Sequence, residues 1–294
     1  MQKIKILSTI FLQFICIPAF SANNDSLLFI DELKKFAFKE IGVELTGDLY
    51  TQWVKEEKPY IYLYVSLSEK VQQPIELTSP FIFYRTDEIA ANEKALELKE
   101  MGYHTFCYKT YANSAARLSN RLLSYPKEAI CFIIFHEFIH NYLEQQFIKI
   151  PYEFNEALCD VIGNYGALKY AQSTQNVDLA ATENQIRTNE KIYTCLNATI
   201  SKINKNPQIV KNIQQVMTLN DKCSKIIRDI LKKCNIFQKD RFDYTVNNAY
   251  LLKNEYYCKN YFLLKQKSIK DFLELMKTLP ENASDCEAYL KNFI

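Results

Sequence analysis

Seven consecutive apolar residues, Ala129 to Phe135, run without a break into His136-Glu137-Phe138-Ile139-His140. A helix of that composition is buried on nearly every side, so the two imidazoles and the carboxylate it carries leave water and need partners. Four residues advance a helix by roughly 400°, so His136 and His140 project from one face a turn apart, as two ligands of one zinc ion must. Glu137 then flanks the ion, where it can take a proton from bound water and pass it to a leaving amine. The chain has only three histidines, and the one outside this pattern is His104.

A catalytic zinc needs a third protein ligand and an open position. The segment Phe154-Asn155-Glu156-Ala157-Leu158-Cys159-Asp160 offers Glu156, with Asp160 a turn further along the same face. Fifteen residues, Asn141 to Asn155, separate His140 from Glu156, and Pro151 marks a break after which a second helix can turn back along the first. In that arrangement Glu156 reaches the metal and Asp160 reaches the other ring nitrogen of a ligand histidine. Glu144 and Glu153 are rival carboxylates. Glu144 shares the histidines' face, but one straight helix does not easily wrap three ligands around a tetrahedral ion. Hydrolysis also needs a donor for the developing oxyanion. His104, Tyr108, Tyr111, Tyr142, Tyr152 and Tyr165 lie near the motifs in sequence, and none of them is singled out.

Other chemistries are excluded by composition. A net charge of +2 in 294 residues gives no field to recruit nucleic acid or an anionic membrane. The five glycines are never spaced as a phosphate-binding loop requires. Residues 1–22 read as an export leader: Lys3 and Lys5 precede an apolar stretch from Ile6 to Phe20, broken by Pro18, with cleavage expected after Ser21 or Ala22. No later segment approaches a transmembrane length, so no stable membrane span is expected once the leader is removed. The protein is therefore expected to be periplasmic or secreted. Removing the leader takes Cys16 and leaves eight cysteines, an even number that favours disulfides in the helical C-terminal region, with Cys131 and Cys159 the members expected to stay unpaired.

Hydrophobic periodicity predicts a helix over Asp25–Ile41 closed by Gly42, strands over Tyr60–Leu67, Pro80–Tyr84 and Tyr103–Lys109, and a helix over Asp87–Met101. Beyond Pro126 the pattern is helical: Pro126–Phe147, Glu153–Ala171, Ala180–Ile203, Pro207–Cys234 and shorter pieces to Leu290, with Gln172–Asp178 a loop. The expected fold is α+β and mainly α. It divides into the leader (1–22), a small N-terminal α/β portion (23–125), the zinc-binding catalytic helices (126–171) and a helical C-terminal region (172–294).

At its motifs the chain resembles the gluzincin metallopeptidases, whose H-E-x-x-H is followed by Asn-Glu on a second helix. More closely, Ile134-Phe135-His136-Glu137-Phe138-Ile139-His140 and Phe154-Asn155-Glu156-Ala157 are similar to the I-F-H-E-L-A-H and F-N-E-S-F-A motifs of the bacterial "putative aminopeptidase" family. The resemblance implies a zincin-like fold, His136, His140 and Glu156 as zinc ligands, Glu137 as catalytic base, and a peptide or protein substrate, with aminopeptidase action one form of the activity. The rival expectation is a non-catalytic exported binding protein that keeps a structural zinc or a relic of the motif.

Overall fold

The structure, a computed structural model, describes residues 24–45, 49–50, 53–54, 58–110, 118–234, 245–266 and 268–292. The leader segment and Tyr111 lie outside the described residues. The chain begins with α1 (Asn24–Phe36), which continues through a single π turn over Ala37–Ile41 and ends at Gly42 with φ +80°. A small β region follows: β1 (Trp53–Val54), β2 (Tyr60–Ser66), β3 (Phe81–Phe83), α2 (Glu88–Glu100), β4 (His104–Thr110) and β5 (Leu118–Ser119). The rest is helical: α3 (Asn120–Leu123), α4 (Lys127–Gln145), α5 (Tyr152–Ser173), α6 (Leu179–Lys205), α7 (Pro207–Val210), α8 (Ile213–Cys234), α9 (Asn248–Cys258), α10 (Tyr261–Leu264), α11 (Ile269–Thr278) and α12 (Ala283–Asn292). The fold is α+β and mainly α, as the sequence pattern indicates.

Strands β3-β2-β4 form an antiparallel sheet in which Tyr62 pairs with Phe83 and Tyr108, and Tyr64 with Phe81 and Phe106. The period-two alternation of β2 divides its side chains between the two faces. Leu63 and Val65 pack with Ala95 and Leu98 of α2, whereas Tyr64 packs with Phe106 and with Ala249 of α9. Two residues each from β1 and β5 make a separate parallel pair, too short to leave a period in the sequence.

The main core surrounds α4 and α5, with Leu33 from α1, Tyr261 from α10 and Cys286 from α12 among its buried members. A second core joins α6, α8 and α9 through Leu196, Ile227 and Leu251. The α4–α5 contact runs antiparallel, since Cys159 lies against His140 while Gly163 lies against Phe132 and His136. Glycine is needed on α5 for that approach. A Cβ at Gly163 would stand 3.2 Å from His136 Cβ and from the Phe132 carbonyl oxygen, and one at Gly166 would stand 2.7 Å from Phe135 Cγ.

Two expectations are corrected. The single helix expected over Pro207–Cys234 is broken at Lys211–Asn212, where Asn212 Oδ1 accepts from the amides of Gln214 (3.1 Å) and Gln215 (3.3 Å) and so starts a new helix. The disulfides expected in the C-terminal region are not formed: all eight cysteines described are free thiols. Five of them are buried, where they pack as small apolar groups, and these include Cys131 and Cys159. Among the described residues no helix is long and apolar enough to cross a membrane.

Gly166→Ala tests the close approach. On an open helix face this substitution stabilises by about 1 kcal/mol. Here the clash with Phe135 should reverse the sign and destabilise by about 1–3 kcal/mol. Denaturant unfolding measures it, and a gain in stability would show that the two helices are not in contact at this point.

Candidate metal centre

The groups that carry chemistry meet between α4 and α5. His136 and His140, one turn apart on α4, bring their Nε2 atoms to 3.1 Å from each other. Glu156, on the first turns of α5, faces both, with Oε2 3.5 Å from His136 Nε2 and Oε1 3.7 Å from His140 Nε2. Three donors at about 2.1 Å from a tetrahedral zinc stand about 3.4 Å from one another. The observed spacings therefore match a shared ion with almost no rearrangement, and two imidazoles with one carboxylate form a donor set that suits zinc. Among the described residues, this is the trio of His, Cys, Asp or Glu side chains gathered closely enough to hold a metal ion.

The surroundings hold these donors in place. Asp160 Oδ1 lies 2.9 Å from His136 Nδ1, a close contact that is not aligned as a full hydrogen bond. Its other oxygen, Oδ2, accepts from the hydroxyl of Tyr193 on α6. On the far side of His140, Nδ1 contacts the Cys159 thiol at 3.5 Å, and that thiol donates to Asn155 Oδ1 at 3.4 Å. Asn141 donates to the Glu137 carbonyl oxygen at 2.8 Å, tying down the motif turn. In each case the partner comes from a turn or a helix that the motif residues already pack against.

Burial sets the electrostatics. His136 and Glu137 are only 8% and 7% exposed. Burial opposes a charge on His136, but the Asp160 and Glu156 carboxylates outweigh it and hold the imidazole well above its usual range. Burial likewise opposes the Glu156 carboxylate, which His136 and His140 nonetheless hold well below the ordinary value. Glu137 is pushed up by burial, with the two histidines opposing. His136 and Glu156 thus stabilise one another's charge, while burial weighs against the charge on Glu137.

A cavity of about 490 Å³ opens onto the centre, and Glu137, His136, His140 and Glu156 all line it. Much of its lining is aromatic, from Tyr62, Tyr64, Phe81, Tyr108, Tyr152 and Tyr257. The Tyr64 and Tyr152 hydroxyls are 3.4 Å apart. Tyr257 stacks along His136 at 6.5 Å between ring centroids and an interplanar angle of 17°. The Lys253 ammonium sits between Tyr108 and Tyr257, 4.3 Å and 4.2 Å from their ring centroids, and burial lowers its pKa to about 8 against the pull of Glu156 and Asp160.

Several sequence candidates separate here. Glu144 lines the cavity but stands outside the three-donor cluster. The side chain of Glu153 is outside the described residues. Of the oxyanion candidates, Tyr108 and Tyr152 reach the cavity; His104 instead accepts from the Asn248 amide at 3.2 Å, Tyr142 is buried in the main core, and Tyr165 lies under Lys169. Tyr257 and Lys253 could not be found by sequence reasoning, because both come from α9, about a hundred residues or more beyond the motifs.

A family model described as "Putative aminopeptidase" matches residues 19–283. The chain belongs to that family. No curated protein and no solved structure gave a significant match to the chain. Family membership supports a peptidase-like hydrolase with a peptide substrate, and the His136, His140 and Glu156 cluster between α4 and α5 could hold a metal ion.

Removing a donor should remove the metal. Glu156→Ala is expected to lose tightly bound zinc, whereas Glu144→Ala should keep one ion per chain, as measured by metal analysis after dialysis. Asp160→Asn should weaken binding by about 10- to 100-fold, since Asp160 orients a donor without being one. An unchanged zinc content in Glu156→Ala would assign the third donor elsewhere.

Proposed function

We propose that the protein is an exported zinc-dependent peptidase of aminopeptidase type, which hydrolyses peptide bonds in the cavity beside α4 and α5. The observation that carries this reading is the meeting of two histidine nitrogens and one carboxylate at 3.1–3.7 Å, with Glu137 lining the same cavity. Export rests on the leader-like character of residues 1–22.

His136, His140 and Glu156 would hold the ion, which when bound supplies Lewis-acid polarisation of the scissile carbonyl and of a water molecule. Glu137 takes the proton from the attacking water and delivers it to the amine that leaves when the C–N bond breaks. Its place within the first turn of the motif, fixed by the Asn141 bond to its own carbonyl, keeps the carboxylate beside the donors. Asp160, held by Tyr193, puts a carboxylate oxygen 2.9 Å from His136 Nδ1, where it favours one orientation of the ring. The aromatic lining gives the side chains of a peptide an apolar surface to lie against.

A structural zinc is closed by four protein ligands. The three donors here face an open cavity, which favours catalysis over the alternative of a binding protein with a structural ion.

Glu137→Gln separates the two. It keeps the shape of the side chain and all three donors, so zinc should stay while peptide hydrolysis falls by about 10²- to 10⁴-fold. Absence of hydrolysis by the parent protein, across a library of free-amine and N-blocked peptides, would instead support the structural role. Within that library an aminopeptidase cuts only peptides with a free amine. Efficient cleavage of N-blocked peptides at internal bonds would overturn that part of the proposal and leave the zinc hydrolase standing.

A further inference from the structure

Away from the metal centre, Cys195 of α6 and Cys223 of α8 face each other with their Sγ atoms 3.6 Å apart. The two thiols are not equivalent. Cys223 is 1% exposed, while Cys195 is half-buried. Both line a cavity of about 310 Å³ whose other residues include Lys191, Lys202 and Lys222, with no carboxylate among them. The spacing Lys191, Cys195, Lys202 follows one face of α6, and Lys222 comes from the facing helix, so three exposed lysines line the cavity that holds the thiol pair.

A negative charge shared by the pair belongs on the less buried sulfur, because desolvation penalises it least there. Cys223 then remains a thiol and donates its S–H to the Cys195 thiolate. That hydrogen bond, with help from Thr199, draws the Cys195 thiol below its ordinary range, and the same interaction together with burial pushes Cys223 up. Four other cysteines, Cys131, Cys159, Cys258 and Cys286, are buried, and in Cys107 burial raises the thiol. Cys234 is partly exposed, but no second thiol stands against it among the described residues.

We propose that Cys195 is a reactive thiol, a modification site for small anionic disulfides that enter the lysine-rimmed cavity. In the reaction the Cys195 thiolate attacks one sulfur of the disulfide. The disulfide bond breaks, a new sulfur–sulfur bond forms to Cys195 Sγ, and the other half leaves as its thiolate. Cys195 has by then released its proton to solvent. Its electrons reduce the departing half, so no further oxidant is required. Cys223, held as a thiol, is the positioning residue and not the nucleophile.

The test treats the intact native protein with dithiobis(nitrobenzoate), a dianionic disulfide, and locates the first adduct by peptide mass spectrometry. The expected result is modification of Cys195 at least tenfold faster than of any other cysteine. Cys223→Ala should slow the reaction about three- to fivefold at neutral pH, the gain in thiolate fraction being partly offset by lower intrinsic nucleophilicity. Cys223→Ser, which keeps a donor, should restore it. Replacing Lys191, Lys202 and Lys222 by Gln should slow the dianionic reagent severalfold and leave neutral dithiodipyridine unaffected. A first adduct on Cys107 or Cys234, or comparable rates at several cysteines, would overturn the proposal using the unaltered protein alone. Equal slowing of both reagents by the lysine replacements would overturn the anion preference, and an unchanged rate in Cys223→Ala would overturn the role of the second thiol.

Discussion

The antiparallel contact between α4 and α5 is the constraint on which the rest of the molecule depends. Two glycines on α5 allow it: Gly163 lies against the backbone of Phe132 and His136, and Gly166 against the ring of Phe135. Each glycine inside a helix forgoes about 1 kcal/mol relative to alanine. The return is proximity, because only helices this close can set Glu156 opposite both imidazoles and Asp160 beside one of them. The apolar run ahead of His136 serves the same end, packing Ile134, Phe135 and Phe138 into the main core so that the polar end of the helix has a fixed position.

That placement gathers ionisable groups at the buried end of the cavity. Glu137, Glu156 and Asp160 lie around two imidazoles, and burial disfavours the charged forms of His136, Glu137 and Glu156. In such a setting the carboxylates and imidazoles stabilise one another, and a dication would stabilise the set further. The polar links extend outward from Asp160 to Tyr193, whose ring packs edge-on to Tyr261 at 5.2 Å. Tyr261 in turn accepts from Asn164 and donates to Glu190, which pairs with Lys265. Helices far from the motif in sequence therefore support the centre, and α9 contributes Tyr257 to the lining of its cavity. The thiol pair is built on the other side of α6 by the same means, a helix–helix contact in which one buried polar group sets the state of its neighbour.

Most element positions were legible in the sequence because they depend on short-range signals. Gly42 and Gly102 end their segments with φ of +80° and +92°, and Asp87 caps α2 through the Ala90 amide. The break at Asn212 was not legible, since the apolar positions on either side keep the helical period while one side chain restarts the hydrogen bonding. The cysteine count also misled: an even number favours bridges only where pairs come together in space, and here Cys131 and Cys286 pack in the main core and Cys258 in the second, while Cys195 and Cys223 meet as free thiols.

By itself the sequence determined the one-turn spacing of His136 and His140, the position of Glu137 between them, and the common face of Glu156 and Asp160, because helical geometry fixes angles within one element. Tertiary structure alone decided that Glu156 joins the donors while Glu144 stays at the cavity wall, that Tyr193 secures Asp160, that Tyr257 and Lys253 stand at the site, and that Cys195 meets Cys223. The physical reason is that the vector between two helices is set by how their side chains and glycines pack, a property shared between elements that the periodicity of neither one contains.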